Sequence, residues 1–164
     1  MIRWKTCLHE AAHVVAASVL LNDERVAAVV FSGGGLAFID VPDPLRTVDQ
    51  ALAIAAGTAA ESLAETNAPP QAEPATAAAV RVDVPKERSA HAVLMSDLKA
   101  ARPDAERIAA WCIMGHPNDP DRWKSRYVWI HHEASLFVRN HATEIVKIAS
   151  RLYTGGIVTL NKET

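Results

Sequence analysis

The 164-residue chain carries 17 basic and 19 acidic side chains, a net charge of -2, and about half of its residues are apolar. A chain of this length is expected to form a single compact domain over 1–164 with a real core. Near-neutral charge without a basic stripe excludes a nucleic-acid footprint, and no uncharged apolar run approaches the roughly 20 residues that a membrane span needs.

The N-terminal segment reads as an amphipathic helix over 3–21, with Leu8, Ala11, Ala12, Val15 and Val19 at three- and four-residue spacing. Arg3 and Lys5 ahead of this apolar run mimic a signal peptide. His9, Glu10 and His13 interrupt it, and no small-residue cleavage site follows. Cys7 and Cys112 are too few for a disulfide framework and are not spaced as a zinc ribbon, so two buried thiols in a reducing, cytoplasmic compartment are expected. A short strand is expected over 25–31, a turn at Ser32-Gly33-Gly34-Gly35 and a second strand over 36–41, forming a hairpin or an edge element.

Pro42-Asp43-Pro44 breaks the chain, and Thr47 with Gln50 marks a capping box for a helix running to about Thr66. Residues 67–85 contain four prolines and read as a mobile excursion. Helical pattern returns near Lys86 and passes through Ser96-Asp97-Leu98. Pro103 opens another helix, with Asp104 and Glu106 as first-turn acids and Gly115 after its end. A turn at 116–120 leads into a long helix over 122–153, broken near Asn140 and stopped by Gly155-Gly156. Abundant alanine and scarce aromatics favour helices packed through small residues. The fold class is therefore mainly α, with a small β-hairpin or edge-strand element beside the first helix.

His9-Glu10-Ala11-Ala12-His13 is an HExxH. On a helix, histidines four residues apart lie about 40° apart around the axis, so both imidazoles reach one metal from one face. Glu10 is too close to the first ligand to be a comfortable third one. It is well placed to accept a proton from water that the metal activates. Imidazole suits zinc, and a catalytic zinc keeps one position open.

The segment from Leu8 to Val15 resembles the HEAGH-type helix of the FtsH peptidase domain, and further blocks follow in the family's order. Val26 to Phe38 resembles the strand segment after the zinc helix. Ala55-Ala56-Gly57-Thr58-Ala59-Ala60-Glu61 resembles the GGRAAE helix, and Ser96-Asp97-Leu98-Lys99-Ala100-Ala101 resembles the NDLxxAT segment. The resemblance covers about half the chain and implies a zinc peptidase with His9, His13 and Asp97 as ligands and Glu10 as base. The departures are Ala12 for the family's glycine, Ala56-Gly57-Thr58 for Gly-Gly-Arg, and the additional proline-rich excursion. The chain resembles a free-standing peptidase domain without the ATPase module.

Glu61 falls on an alanine-rich face expected to be buried, where a carboxylate needs a partner, and an orienting contact to a zinc-bound histidine is the favoured role. His131, His132 and His141 are expected to be solvated or to cap helix ends, and His91 is a weaker ligand candidate. Trp4, Trp111 and Trp129 are expected to pack in or at the rim of the core.

The resulting expectation is a zinc-dependent, ATP-independent peptidase acting on unfolded or flexible polypeptide. Gly35, Leu36 and Ala37 on an edge strand would hold the substrate by strand addition. A homo-oligomer is compatible with the sequence. Two alternatives are an ImmA-type regulatory peptidase, in which Glu61 is the third ligand, and a non-catalytic zinc-containing binding module, in which a fourth protein ligand closes the site.

Overall fold

The structure, a computed structural model, describes residues 3–71 and 103–161. It is mainly helical with a small antiparallel sheet. The elements in chain order are α1 (Trp4–Leu20), β1 (Arg25–Phe31), β2 (Gly34–Phe38), α2 (Val48–Ala60), a 3-10 turn (Glu61–Glu65), α3 (Pro103–Gly115), α4 (Pro120–Asn140), α5 (Ala142–Gly155) and β3 (Ile157–Asn161).

The helix ends follow their local chemistry. Thr47 Oγ1 accepts from the Gln50 amide while Gln50 Oε1 accepts from the Thr47 amide, the reciprocal capping box. Asp119 caps α4 by accepting from the Arg122 amide, and Pro120 fills the first helical position, so α4 starts two residues earlier than the sequence pattern suggests. His141 separates α4 from α5 and stacks on Phe137. Gly156 ends α5 in the left-handed conformation, φ 74°, which glycine adopts without strain.

The sheet order is β2-β1-β3, with Val29 opposite Leu36 on one side and Ile157 on the other. The hairpin was expected. Strand β3 was not: its short β-branched run follows the helix-stopping glycines, and its partner lies more than a hundred residues away. Strand β2 begins at Gly34 rather than Leu36 and ends at Phe38, short of the expected boundary.

Helix α1 is the centre of the molecule. It packs against α2, α5, β1 and β2, and Trp4, Cys7, Leu8 and every residue from Glu10 to Ala17 are buried. It is enclosed on most sides rather than amphipathic, because layers cover it from several directions. Ala11, Ala12 and Ala16 face an environment that includes Ala53, Ala56 and Ala60 of α2, in a core with Val26, Val30, Ile145 and Leu152. A second cluster joins α2 to α3 and α4 through Ile54, Ile108, Trp111, Tyr127 and Ile130. Cys7 and Cys112 are both buried free thiols, and burial raises each pKa to about 11.

Trp4 and Trp111 are core residues, whereas Trp129 is exposed. His131 departs from expectation: it is 1% exposed and packs beside Tyr127, and burial lowers its pKa to about 4. His132 on the next position is exposed. No helix among the described residues is long and apolar enough to cross a membrane.

Candidate metal centre

Helix α1 presents His9 and His13 one turn apart, as the i, i+4 spacing requires. Helix α2 and the turn after it supply what orients them. His13 Nδ1 donates to the Ala53 carbonyl at 2.9 Å, and His9 Nδ1 donates to Glu61 Oε1 at 2.9 Å. A carbonyl only accepts, so His13 carries its proton on Nδ1, and the Glu61 carboxylate selects the same form of His9. Each ring therefore turns an Nε2 lone pair toward the other and toward Asp104 at the start of α3.

The three atoms form a nearly regular triangle. The two Nε2 atoms are 3.0 Å apart, and each is 3.0 Å from Asp104 Oδ2. Three lone-pair donors at this spacing repel one another unless positive charge lies among them. The titration behaviour expresses the same demand. Burial opposes a charge on His9, yet its hydrogen bonds to Asp104 and Glu61 outweigh burial and raise its pKa to about 9. Burial would raise the Asp104 carboxyl, but contacts from His13 and His9 hold it far below the usual carboxylate range. His9, His13 and Asp104 could hold a metal ion.

Gly57, between Ala53 and Glu61 at four-residue steps along α2, makes this approach possible. A Cβ there would lie 2.6 Å from His13 Cε1 and Nε2, and 2.8 Å from His9 Nε2. Only a bare backbone leaves room for the two rings. Gly35 of β2 does the same for Glu10, since its Cβ would meet Glu10 Cγ at 2.7 Å and Oε1 at 2.9 Å. Glu10 is 7% exposed; burial raises its pKa, partly offset by electrostatic attraction to the neighbouring imidazoles of His13 and His9.

These groups line an open cleft of about 670 Å³, whose wall includes Gly35, Leu36 and Ala37 of the edge strand β2. All three residues expected to bind substrate are therefore beside the histidines. Asp97 and His91, and the expected helix near 86–98, lie outside the described residues. The carboxylate facing both histidines is that of Asp104, which in sequence is indistinguishable from an ordinary first-turn acid. Glu61 contacts the opposite nitrogen of His9 from the one that faces the triangle.

Comparison with protein-family models, curated proteins and solved structures gives no match.

Proposed function

We propose that the chain is a zinc-dependent metallopeptidase of the FtsH type, ATP-independent, hydrolysing peptide bonds in unfolded or flexible segments. The observation that carries this reading is the convergence of His9 Nε2, His13 Nε2 and Asp104 Oδ2 at 3.0 Å, beside a buried glutamate in an open cleft.

Donors about 2.0–2.1 Å from one tetrahedral zinc lie roughly 3.3 Å apart, within a few tenths of an ångström of the spacing here. Zinc, when bound, supplies a Lewis acid for a water and for the scissile carbonyl. His9, His13 and Asp104 would hold it. Glu61 and the Ala53 carbonyl keep both imidazoles in the ligating tautomer. Glu10 accepts the proton of the attacking water and returns it to the leaving amine. Its burial makes it a better base near neutral pH than an exposed carboxylate. Among the described residues β2 is an edge strand, and its outer edge would offer backbone donors and acceptors to an extended peptide across Gly35, Leu36 and Ala37. Such binding requires a flexible chain.

The contact of Glu61 with Nδ1 rather than with the triangle supports the FtsH-type arrangement over the ImmA-type one. Among the described residues no fourth ligand joins the three, which supports a catalytic over a closed structural site. The buried thiols suit a reducing compartment, and cytoplasmic residence is the corresponding proposal.

Metal analysis combined with Glu10→Gln tests the reading. The amide keeps the shape and removes the base. The variant should hold about one zinc per chain and lose about 10²–10⁴-fold of its activity on a casein-like unfolded substrate. Undiminished turnover, or iron as the resident metal, would overturn it.

A further inference from the structure

Three cations line the same cleft: Arg3, Lys5 and Arg107. The carboxylates of the cleft are otherwise engaged. Asp104 and Glu61 bind the histidines, and Glu10 lies under β2. Once a divalent ion occupies the histidine site, the lining is net positive.

Arg107 is the most informative of the three. It follows Asp104 by three residues on α3 and so lies on the same helical face, one turn away. Its Nη2 donates to the Pro42 carbonyl at 3.0 Å, which anchors the guanidinium on the segment after β2. Its Nε is shielded from water and has no acceptor. Among the described residues no carboxylate pairs with it. An anchored guanidinium with no counter-charge, in the wall of a cleft, is an anion receptor.

Resting on the peptidase reading, we propose that Arg107, flanked by Arg3 and Lys5, binds a substrate carboxylate beside the scissile bond. One helical turn from a metal ligand corresponds to about two residues of extended peptide. The favoured substrate therefore carries a carboxylate within about two residues of the cut, either an Asp or Glu side chain or a free C-terminus.

A peptide series tests this with the zinc-loaded protein. A fixed extended sequence carries Asp, Asn or Lys at successive positions around the cut, each with a free or an amidated C-terminus. The expected result is a preference of about 10–100-fold in kcat/KM for Asp over Asn at one position, with Lys poorest. If the terminal carboxylate is the ligand, the same preference appears for free over amidated ends, with cuts confined to the last two residues or so. Equal rates across all acid and amide pairs would overturn the proposal. In Arg107→Gln the acid-to-amide ratio should collapse to within about twofold, whatever the absolute rate, and an unchanged ratio would overturn it.

Should that variant misfold, the wild-type preference remains the test, and it must shrink with added salt. Fluorescence anisotropy of the same peptides on zinc-loaded Glu10→Gln separates the two readings. Preferential binding of acidic peptides without cleavage by the wild type sinks the peptidase and keeps the receptor. Cleavage without preference does the reverse.

Discussion

Gly57→Ala is a small perturbation with a large expected effect on metal binding. In most helix interiors this change is stabilising by roughly 0.5–1 kcal/mol. Here the added methyl would lie 2.6 Å from two atoms of His13 and 2.8 Å from His9 Nε2. Restoring an ordinary contact of about 3.4 Å requires the rings to move by about 0.6–0.8 Å. Zinc–ligand distances tolerate about 0.2 Å. The displaced atoms are the two proposed ligand nitrogens, and their Nδ1 hydrogen bonds to Ala53 and Glu61 resist the movement.

Zinc affinity should therefore fall at least 10–100-fold, as when an orienting partner is lost. The metal-free protein should lose only about 1–2 kcal/mol, because overpacking is partly offset by helix propensity. Competition with a chelator of known affinity gives the first number, and urea unfolding in excess chelator gives the second. At saturating zinc for both proteins, a hundredfold weaker site also removes about 2.7 kcal/mol of metal-dependent stabilisation. Wild-type zinc affinity in Gly57→Ala would refute the packing argument.

Three further outcomes follow from the same geometry. Asp104→Ala should strip zinc severely and Glu61→Ala weaken it about 10–100-fold; isothermal titration ranks the two, and the opposite order would make Glu61 the third ligand. Burial lowers the His131 pKa from 6.5 to about 4, so between these values the unfolded chain binds more protons than the folded one. Stability should be full above about pH 6.5 and fall toward pH 4 by up to about 3 kcal/mol, and His131→Phe should flatten this window in urea unfolding at stepped pH. A protein offered folded and denatured should be cut only in the denatured form, without ATP, and equal rates on both would contradict binding along β2.

What the sequence discloses divides along physical lines. Signals confined to a few residues survive intact: the Thr47–Gln50 box, the left-handed stop at Gly156, the break at His141 and the HExxH spacing all depend on neighbours in the chain. The hairpin is equally local. Strand β3 is not, because its identity depends on pairing with β1 across most of the chain, and five residues after a helix stop carry little periodicity. The enclosure of α1 is hidden for a similar reason. Its alanines are compatible with solvent or core, and only the arrival of α2, α5 and the sheet decides. His131 reads as an exposed histidine until α4 packs by the face that buries it.

Asp104 is the sharpest case, because it reaches His13 from 91 positions away. A first-turn acid and a metal-facing acid are the same residue in the same helix position. Gly57, by contrast, left a usable trace. Glycine within an alanine-rich helix costs roughly 1 kcal/mol relative to alanine and calls for a reason, which here is the imidazole pair.

The positions of Ala53, Gly57 and Glu61 carry the synthesis a step further. They recur every four residues along α2 and the turn that continues it, and they meet His13, then both rings, then His9. The two helices therefore run antiparallel at this contact, with acceptor, gap and acceptor in α2 matched to ligand, gap and ligand in α1. This pairing explains why the site needs an alanine-rich interface: larger side chains would hold α2 too far away for a main-chain carbonyl to reach an imidazole. It also explains why one acceptor is backbone and the other a side chain. Helical carbonyls are already engaged in the helix ladder but keep a second lone pair, enough for His13 where the helices are closest. At His9 α2 has given way to the 3-10 turn, and a longer carboxylate must bridge. Orientation of the two rings is thus a property of the helix pair as a whole. Substitutions that widen the α1–α2 contact at Ala12, Ala56 or Ala60 should loosen both imidazoles together, because these alanines sit in the core between the two helices.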